Sequence, residues 1–179
     1  PDICEVREGN VGFLVPVKEG QKTGWFFDHR DSRQYLRRFA KGARVLDVFS
    51  YLGSWGLQAL DAGAESVVAI DRSELALSLM QDNARRYDWE DRLRTIRGFA
   101  THELKRLAEQ GEQFDVIVLD PPAFIQRRKD LRSGEKAYHQ INQRAIKLLK
   151  PGGVLVSASC SMHLSLEALQ DIVKIAAYK

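Results

Sequence analysis

The sequence predicts an α/β fold built on a doubly wound, mostly parallel sheet. Three observations carry that expectation. Apolar, β-branched runs at residues 44–49, 66–70, 93–96, 114–119 and 154–158 alternate with stretches of helical periodicity, the pattern of right-handed βαβ crossovers. The run Phe114–Leu119 is apolar at successive positions, as expected of a strand buried on both faces. Glycines, prolines and aspartates follow these runs directly, and an open parallel sheet binds ligands at the carboxyl ends of its strands.

Each element has its own signal. Residues 3–7 and 11–17 alternate loosely about Glu8-Gly9-Asn10, the mark of a β-hairpin. From Asp31 the pattern turns helical, with Asp31 and Gln34 at capping-box spacing and Tyr35, Leu36 and Phe39 supplying an apolar face. The first strand of the alternation, Arg44–Phe49, leads into a helix over 53–62. Ser66–Ile70 follows as a strand, and Ser73 caps a helix whose stripe is Leu77, Met80, Ala84 and Tyr87. Leu93–Ile96 is the third strand, with a helix over 101–110. After the fourth strand and a loop at 121–133, Tyr138, Ile141, Ala145 and Leu148 mark another helix. Lys150-Pro151-Gly152-Gly153 turns the chain into the fifth strand, Val154–Ala158, and Ser165 caps a helix carrying Leu166, Leu169, Val173 and Ala176. Nothing after that helix pairs with the fifth strand, so the sheet is expected to be incomplete at its C-terminal edge. The expected division is a hairpin and linker over 1–24 and an α/β domain over 25–179.

At 179 residues and 44% hydrophobic, the chain suits one domain with a sizeable core. No apolar run approaches the roughly 18–20 residues that span a bilayer, so no membrane role is expected. No charged-then-apolar leader opens the chain. It starts at Pro1, not Met, and is expected to be an excised piece of a longer protein. Cys4 and Cys160 sit in unrelated contexts and form no disulfide framework, and no Cys/His cluster has zinc spacing. No metal is expected, and a reducing, cytoplasmic location fits.

A net charge of +3 does not by itself point to nucleic acid. The distribution is uneven, however. From Asp28 to Arg44 there are six basic residues (Arg30, Arg33, Arg37, Arg38, Lys41, Arg44) and two acidic ones (Asp28, Asp31), and Arg127, Arg128, Lys129, Arg132 and Lys136 form a second group. Two readings stay open: a solvated helix face and loop, or a phosphate-contacting surface beside an active site.

The strand ends hold the candidate chemistry. After the first strand, Gly53 and Gly56 in Asp47-Val48-Phe49-Ser50-Tyr51-Leu52-Gly53-Ser54-Trp55-Gly56 allow a tight turn and close backbone approach to a ligand at a helix N-terminus. The spacing is not Gly-x-Gly-x-x-Gly, so a nicotinamide dinucleotide lacks its fingerprint; an ordinary strand-to-helix turn is the alternative to a ligand loop. Asp71 ends the second strand, where a carboxylate either accepts ribose hydroxyls or caps the next helix. Asp120-Pro121-Pro122-Ala123-Phe124 ends the fourth. Two prolines remove two backbone donors and stiffen the turn beside the carboxylate. The fifth strand ends in Ser157-Ala158-Ser159-Cys160-Ser161. A lone cysteine is usually an inert buried hydrophobe, yet beside the fourth strand Cys160 would lie within reach of Asp120, and a thiol of lowered pKa is a good nucleophile. His29 either contacts a ligand or caps a helix; His102, His139 and His163 show no pairing pattern.

Four segments taken together resemble the bacterial large-subunit rRNA cytosine-5 methyltransferases: Lys22-Thr23-Gly24-Trp25-Phe26-Phe27-Asp28-His29-Arg30-Asp31-Ser32-Arg33, Phe49-Ser50-Tyr51-Leu52-Gly53, Asp120-Pro121-Pro122-Ala123-Phe124 and Ser159-Cys160-Ser161. The resemblance runs from about Lys22 to the C-terminus. It implies a Rossmann-like class I methyltransferase sheet, S-adenosylmethionine as cofactor, and a cytosine of 23S rRNA, or of a precursor large ribosomal subunit, as substrate. It also implies an RNA-binding PUA domain and further C-terminal strands outside this chain. On that resemblance, Asp47, Phe49, Ser50, Tyr51, Gly53, Asp71, Arg72, Phe99, Asp120 and Pro121 contact the cofactor. Arg30, Arg33, Pro122, Phe124, Arg127 and Lys129 contact the substrate, and Cys160 and Asp120 are catalytic. Arg97-Gly98-Phe99-Ala100 departs from the family, which commonly has an acidic residue there for the adenine amino group; backbone or stacking would replace it. Leu52 and Trp55 are also bulkier than is usual in that loop. Two alternatives remain: an rRNA guanine-nitrogen methyltransferase, which needs no thiol, and a non-catalytic nucleotide- or RNA-binding module.

Overall fold

These apolar patterns resolve into seven strands and six α-helices in the computed structural model, which describes residues 2–17 and 24–178. Lys22 and Thr23, which open the first family-like segment, lie outside the described residues. The hairpin is β1 (Ile3–Glu8) and β2 (Val11–Pro16), paired antiparallel from Ile3↔Pro16 to Glu8↔Val11. Gly9, at φ +60°, makes the tight reversal where an L side chain would be strained. Its inner strand places Val11, Phe13 and Val15 in the same core as the main sheet.

The main sheet has the order β5-β4-β3-β6-β7, all parallel, formed by β3 (Arg44–Val48), β4 (Ser66–Asp71), β5 (Leu93–Arg97), β6 (Phe114–Leu119) and β7 (Leu149–Ser157). Alternate residues leave opposite faces. Val45, Val67, Ala69, Val116 and Val118 pack with α2 (Ser54–Asp61), α3 (Glu74–Arg85) and the hairpin. Leu46, Val48, Val68, Ile70, Ile117 and Leu119 pack with α4 (Ala100–Glu109) and α5 (Leu131–Ile146). The last helix, α6 (Leu166–Ala177), joins α5 and the Phe124–Ile125 turn in a third cluster around Ile125, Tyr138 and Leu169. Strand order reverses between β3 and β6, so the loops leaving those two strands flank the switch point where such sheets bind ligands. Among the described residues β7 pairs only with β6. No helix among the described residues is long and apolar enough to cross a membrane.

Ser73 and Ser165 cap α3 and α6, accepting from the Ala76 and Ala168 N–H groups at 3.2 and 3.1 Å. Three local expectations need correction. The helix α1 (Arg30–Leu36) starts one residue before Asp31, behind a turn that gives it His29 as N-cap, and no side-chain cap forms; Asp31 instead sits in the first turn, where its charge favours the helix dipole. Tyr35 and Phe39 do not join the core: only Leu36 of that trio is buried. Finally, Lys150-Pro151-Gly152-Gly153 does not separate helix from strand. Leu149 already pairs with Phe114, and the chain bulges through Gly152 (φ +78°) before Val154 meets Val116.

Candidate active site at the strand ends

The loop after β3 is bent by residues that rarely adopt its conformation. Phe49 and Tyr51 have φ of +64° and +48°, and Gly53 +79°; two non-glycine residues in the left-handed region store strain that the surroundings must hold. They are held from β4: the Phe49 and Ser50 N–H groups donate to the Ile70 carbonyl at 2.9 and 3.1 Å, and the Tyr51 N–H donates to Asp71 Oδ2 at 2.8 Å. Asp71 Oδ1 accepts from the Ser73 N–H at 2.9 Å. One half-buried carboxylate thus ties together the two loops that flank it.

Beneath the loop, Asp47 is fully buried and its Oδ2 accepts from the Gly56 N–H at 2.9 Å. A Cβ on Gly56 would sit 3.0 Å from that oxygen and 2.9 Å from Val67, so glycine is required for the approach. Burial pushes the Asp47 carboxyl up to about 7; the Gly56 N–H pulls it back, and the charges of Asp120 and Asp71 push it further. Asp47 Oδ1 and Ser50 Oγ are buried with no hydrogen-bond partner among the described residues. At the end of β5, Phe99 is exposed and the Arg72 guanidinium lies 4.4 Å from its ring centroid.

Across the switch point, Asp120 is held by Trp55 and flanked by His29, neither of which the sequence pattern pairs with it. Trp55 Nε1 donates to Asp120 Oδ2 at 2.9 Å, and His29 Nε2 lies 3.6 Å from Oδ1. The His29 and Trp55 rings are 5.9 Å apart. Trp55 was visible only as an unusually large residue in a glycine-rich loop, and His29 only as a histidine ahead of a helix.

β6 and β7 run parallel in register to Leu119↔Ser157, which brings the Asp-Pro-Pro turn and the Ser-Cys-Ser triplet side by side. Cys160 is exposed, and its thiol donates to the carbonyl of buried Pro121 at 3.7 Å. The serines on either side face the opposite way. Tyr138 Oη, from α5, is 2.9 Å from both Ser159 Oγ and Ser161 Oγ, and Ser161 Oγ accepts from the Ile125 N–H at 3.1 Å. Helical periodicity marks Tyr138 only as a core position. Phe124 packs between Phe49 and Tyr138, with centroids 6.3 and 4.9 Å away, while Pro122 is exposed.

The cationic candidates divide. Arg30, Arg127 and Lys129 are exposed. Arg33, expected at the substrate, is not available to one: it is 1% exposed, and its guanidinium grips Glu8 with bonds of 2.7 and 2.6 Å and donates to the Phe26 carbonyl at 3.0 Å. Burial of a cation demands such saturation. The described residues contain no His/Cys/Asp/Glu group able to hold a metal. An open groove of about 500 Å³ between α4 and α5, lined by residues such as Lys105, Glu109 and Arg144, includes none of the strand-end residues.

Sheet order, a strained glycine-bearing loop, an acid at the end of β4 and an Asp-Pro-Pro turn at the switch point together define a Rossmann-like methyltransferase fold. The chain belongs to the Conserved hypothetical protein 95 family, whose profile matches residues 27–178. It is 38% identical over 178 residues to the Ribosomal RNA large subunit methyltransferase I of Cronobacter sakazakii, covering 99% of this chain and 45% of that protein. Against the protein of the same name from Aeromonas salmonicida it is 40% identical over 173 residues, covering 96% and 44%. The chain therefore spans a little under half the length of these curated relatives. Among solved structures, SMU.776 complexed with SAH superposes with a TM-score of 0.87 at 21% identity, covering all of this chain and 47% of that one. A SAM-dependent methyltransferase from Agrobacterium tumefaciens superposes with a TM-score of 0.82 at 22% identity, covering 98% and 58%.

Proposed function

We propose that this chain forms the methyl-transfer core of an S-adenosylmethionine-dependent enzyme that methylates carbon 5 of a cytosine in large-subunit rRNA through a covalent cysteine adduct. The observation that carries this reading is Cys160: exposed, on the rim, against the Pro121 carbonyl of the Asp-Pro-Pro turn. The name of the curated relatives supports large-subunit rRNA as the substrate.

The residues present fit the cofactor. The strained Phe49–Gly53 loop, with Asp47 and Ser50 oxygens lacking partners beneath it, is a cradle that a polar ligand completes. Asp71 keeps lone pairs for ribose hydroxyls, and the Phe99 ring offers a face for adenine in place of the acidic residue common in the family. Arg72, Asp120 and Pro121 complete the lining. When bound, S-adenosylmethionine supplies an electrophilic methyl group.

The chain's own residues prepare the acceptor. Carbon 5 of cytosine is weakly nucleophilic; the Cys160 thiol gives up its proton to water, and bonding of the thiolate Sγ to carbon 6 moves the ring's π electrons onto carbon 5. Asp120, oriented by Trp55, hydrogen-bonds the polar edge of the ring and stabilises the adduct. After transfer, carbon 5 releases its proton to water, the electron pair it leaves re-forms the carbon 5–carbon 6 double bond, and the Sγ–carbon 6 bond breaks with its pair on sulfur, restoring the thiolate. The base must leave its stack to reach the rim, between Pro122 and Phe124 on one side and Cys160 on the other. Arg30, Arg127 and Lys129 would meet flanking phosphates.

Replacing Cys160 with Ala in the full-length protein should lower methyl transfer by at least about 10⁴-fold with cofactor affinity unchanged. Nucleoside mass spectrometry of the RNA reads both the loss and the base. Continued transfer by the Ala variant, or a methylated guanine, would reject the covalent cytosine reading in favour of nitrogen methylation.

A further inference from the structure

The outward face of α1, with the 3₁₀ turn 37–39 that continues it, presents large aromatic groups that the fold leaves in solvent. Tyr35 is 57% exposed and Phe39 39% exposed, although the sequence pattern assigns both to an apolar face. Their rings meet edge to face with centroids 5.7 Å apart, and the Arg38 guanidinium lies 4.9 Å from the Tyr35 centroid. Three of the six cations between residues 30 and 44 are consumed inside the molecule: Arg33 by Glu8, Arg37 by Asp61 and Gln58, Arg44 by Glu112 and the Gln113 carbonyl. Arg30, Arg38 and Lys41 remain exposed. Arg30 lies 4.0 Å from Asp31, the acid on this helix, and no carboxylate among the described residues pairs with Arg38 or Lys41. The helix that carries the face starts at the candidate site: its N-cap, His29, is 3.6 Å from Asp120.

An aromatic pair carrying the Arg38 guanidinium, with Lys41 beside it in no ion pair among the described residues, suits an unstacked base and its phosphate. An RNA duplex offers no free base planes, and an apolar protein partner would have to strip water from three cations. We infer that this face binds a single-stranded stretch of RNA beside the target nucleotide, one base stacking on the Tyr35–Phe39 pair while Arg38 and Lys41 meet its phosphates. The inference rests on the reading of the chain as an RNA methyltransferase and extends it to how flanking nucleotides are held.

The test is fluorescence anisotropy of the full-length protein with a labelled single-stranded RNA and a duplex of equal length, across a salt series. The double variant Tyr35→Ala, Phe39→Ala should bind the single strand roughly 5- to 100-fold more weakly, with cofactor affinity unchanged by calorimetry. Arg38→Gln should flatten the salt dependence by about 0.7 in log–log slope. If the alanine variant does not fold, Tyr35→Leu, Phe39→Leu keeps the apolar bulk without the ring planes and should show the same loss. Unchanged RNA affinity in the folded variant overturns the inference. Unchanged affinity with a lowered melting temperature also overturns it and gives the face to another segment of the protein. The two readings fail separately: weakened RNA binding beside a fully active Cys160→Ala enzyme sinks the covalent scheme alone.

Discussion

On the β6–β7 side of the rim, polar side chains mostly satisfy one another. Tyr138, Ser159, Ser161 and the Ile125 amide form a closed set of hydrogen bonds, and Cys160 is the group turned outward; Ser157, whose Oγ is buried without a partner among the described residues, is the exception. On the β3–β4 side the balance is reversed. Phe49 and Tyr51 sit at positive φ, and Asp47 Oδ1 and Ser50 Oγ are buried and unpartnered among the described residues. The difference separates two tasks. On the proposed reading Cys160 is a nucleophile, which must be held before its substrate arrives, so a self-sufficient frame suits it. A ligand cradle can leave strain and hydrogen-bonding capacity for the ligand to satisfy.

Asp47 should give the largest effect. Its folded carboxyl titrates near 7 against an ordinary 3.8, so the folded state holds the proton more tightly. Its contribution to stability is fully present below about pH 4 and is lost as pH rises through 7, on the order of 4 kcal/mol in all. Asp47→Asn should flatten the decline in denaturant stability between pH 4 and 7; an unchanged slope would mean that the carboxyl is not the strained element of the cradle.

Asp71 tests whether the cradle is one unit. Asp71→Ala removes the acceptor for the Tyr51 and Ser73 amides and should weaken cofactor binding about 10- to 100-fold by calorimetry. Alkylation of Cys160 should proceed at its wild-type rate. Slower alkylation would show that the two halves of the rim are coupled.

Tyr138→Phe is the smallest perturbation. It should cost about 1 kcal/mol of stability and change the rate at which iodoacetamide labels Cys160 several-fold, read by mass spectrometry to exclude exposed Cys4, while leaving cofactor affinity intact. An unchanged labelling rate would assign the serine–tyrosine set to packing alone.

Much of this architecture is legible in the residues. The alternation of apolar runs places the strands, the Ser73 and Ser165 caps fall where their helices begin, and Asp71, Asp120 and Cys160 all land on the rim because parallel strands deliver their carboxyl ends to one edge. What local pattern does not carry is pairing across the chain. Arg33 reads as a surface cation until Glu8, 25 residues away, is brought against it. Trp55 reads as bulk until Asp120, 65 residues on, accepts its N–H. Tyr138 occupies a core stripe by periodicity, yet its hydroxyl meets serines from another element. Tyr35 and Phe39 fail in the opposite direction, since helical spacing defines a face without saying whether anything covers it.

The central claim, a sulfur–carbon bond between Cys160 and the target cytosine, has a direct measurement. RNA carrying 5-fluorocytidine at the target position cannot lose a proton from carbon 5, so the adduct should persist. With the full-length protein and S-adenosylmethionine, the account predicts a protein–RNA species that survives denaturing electrophoresis and maps to Cys160 by mass spectrometry. It should be absent in Cys160→Ala. No stable species with an RNA that the enzyme otherwise methylates, or one attached to another residue, would contradict it.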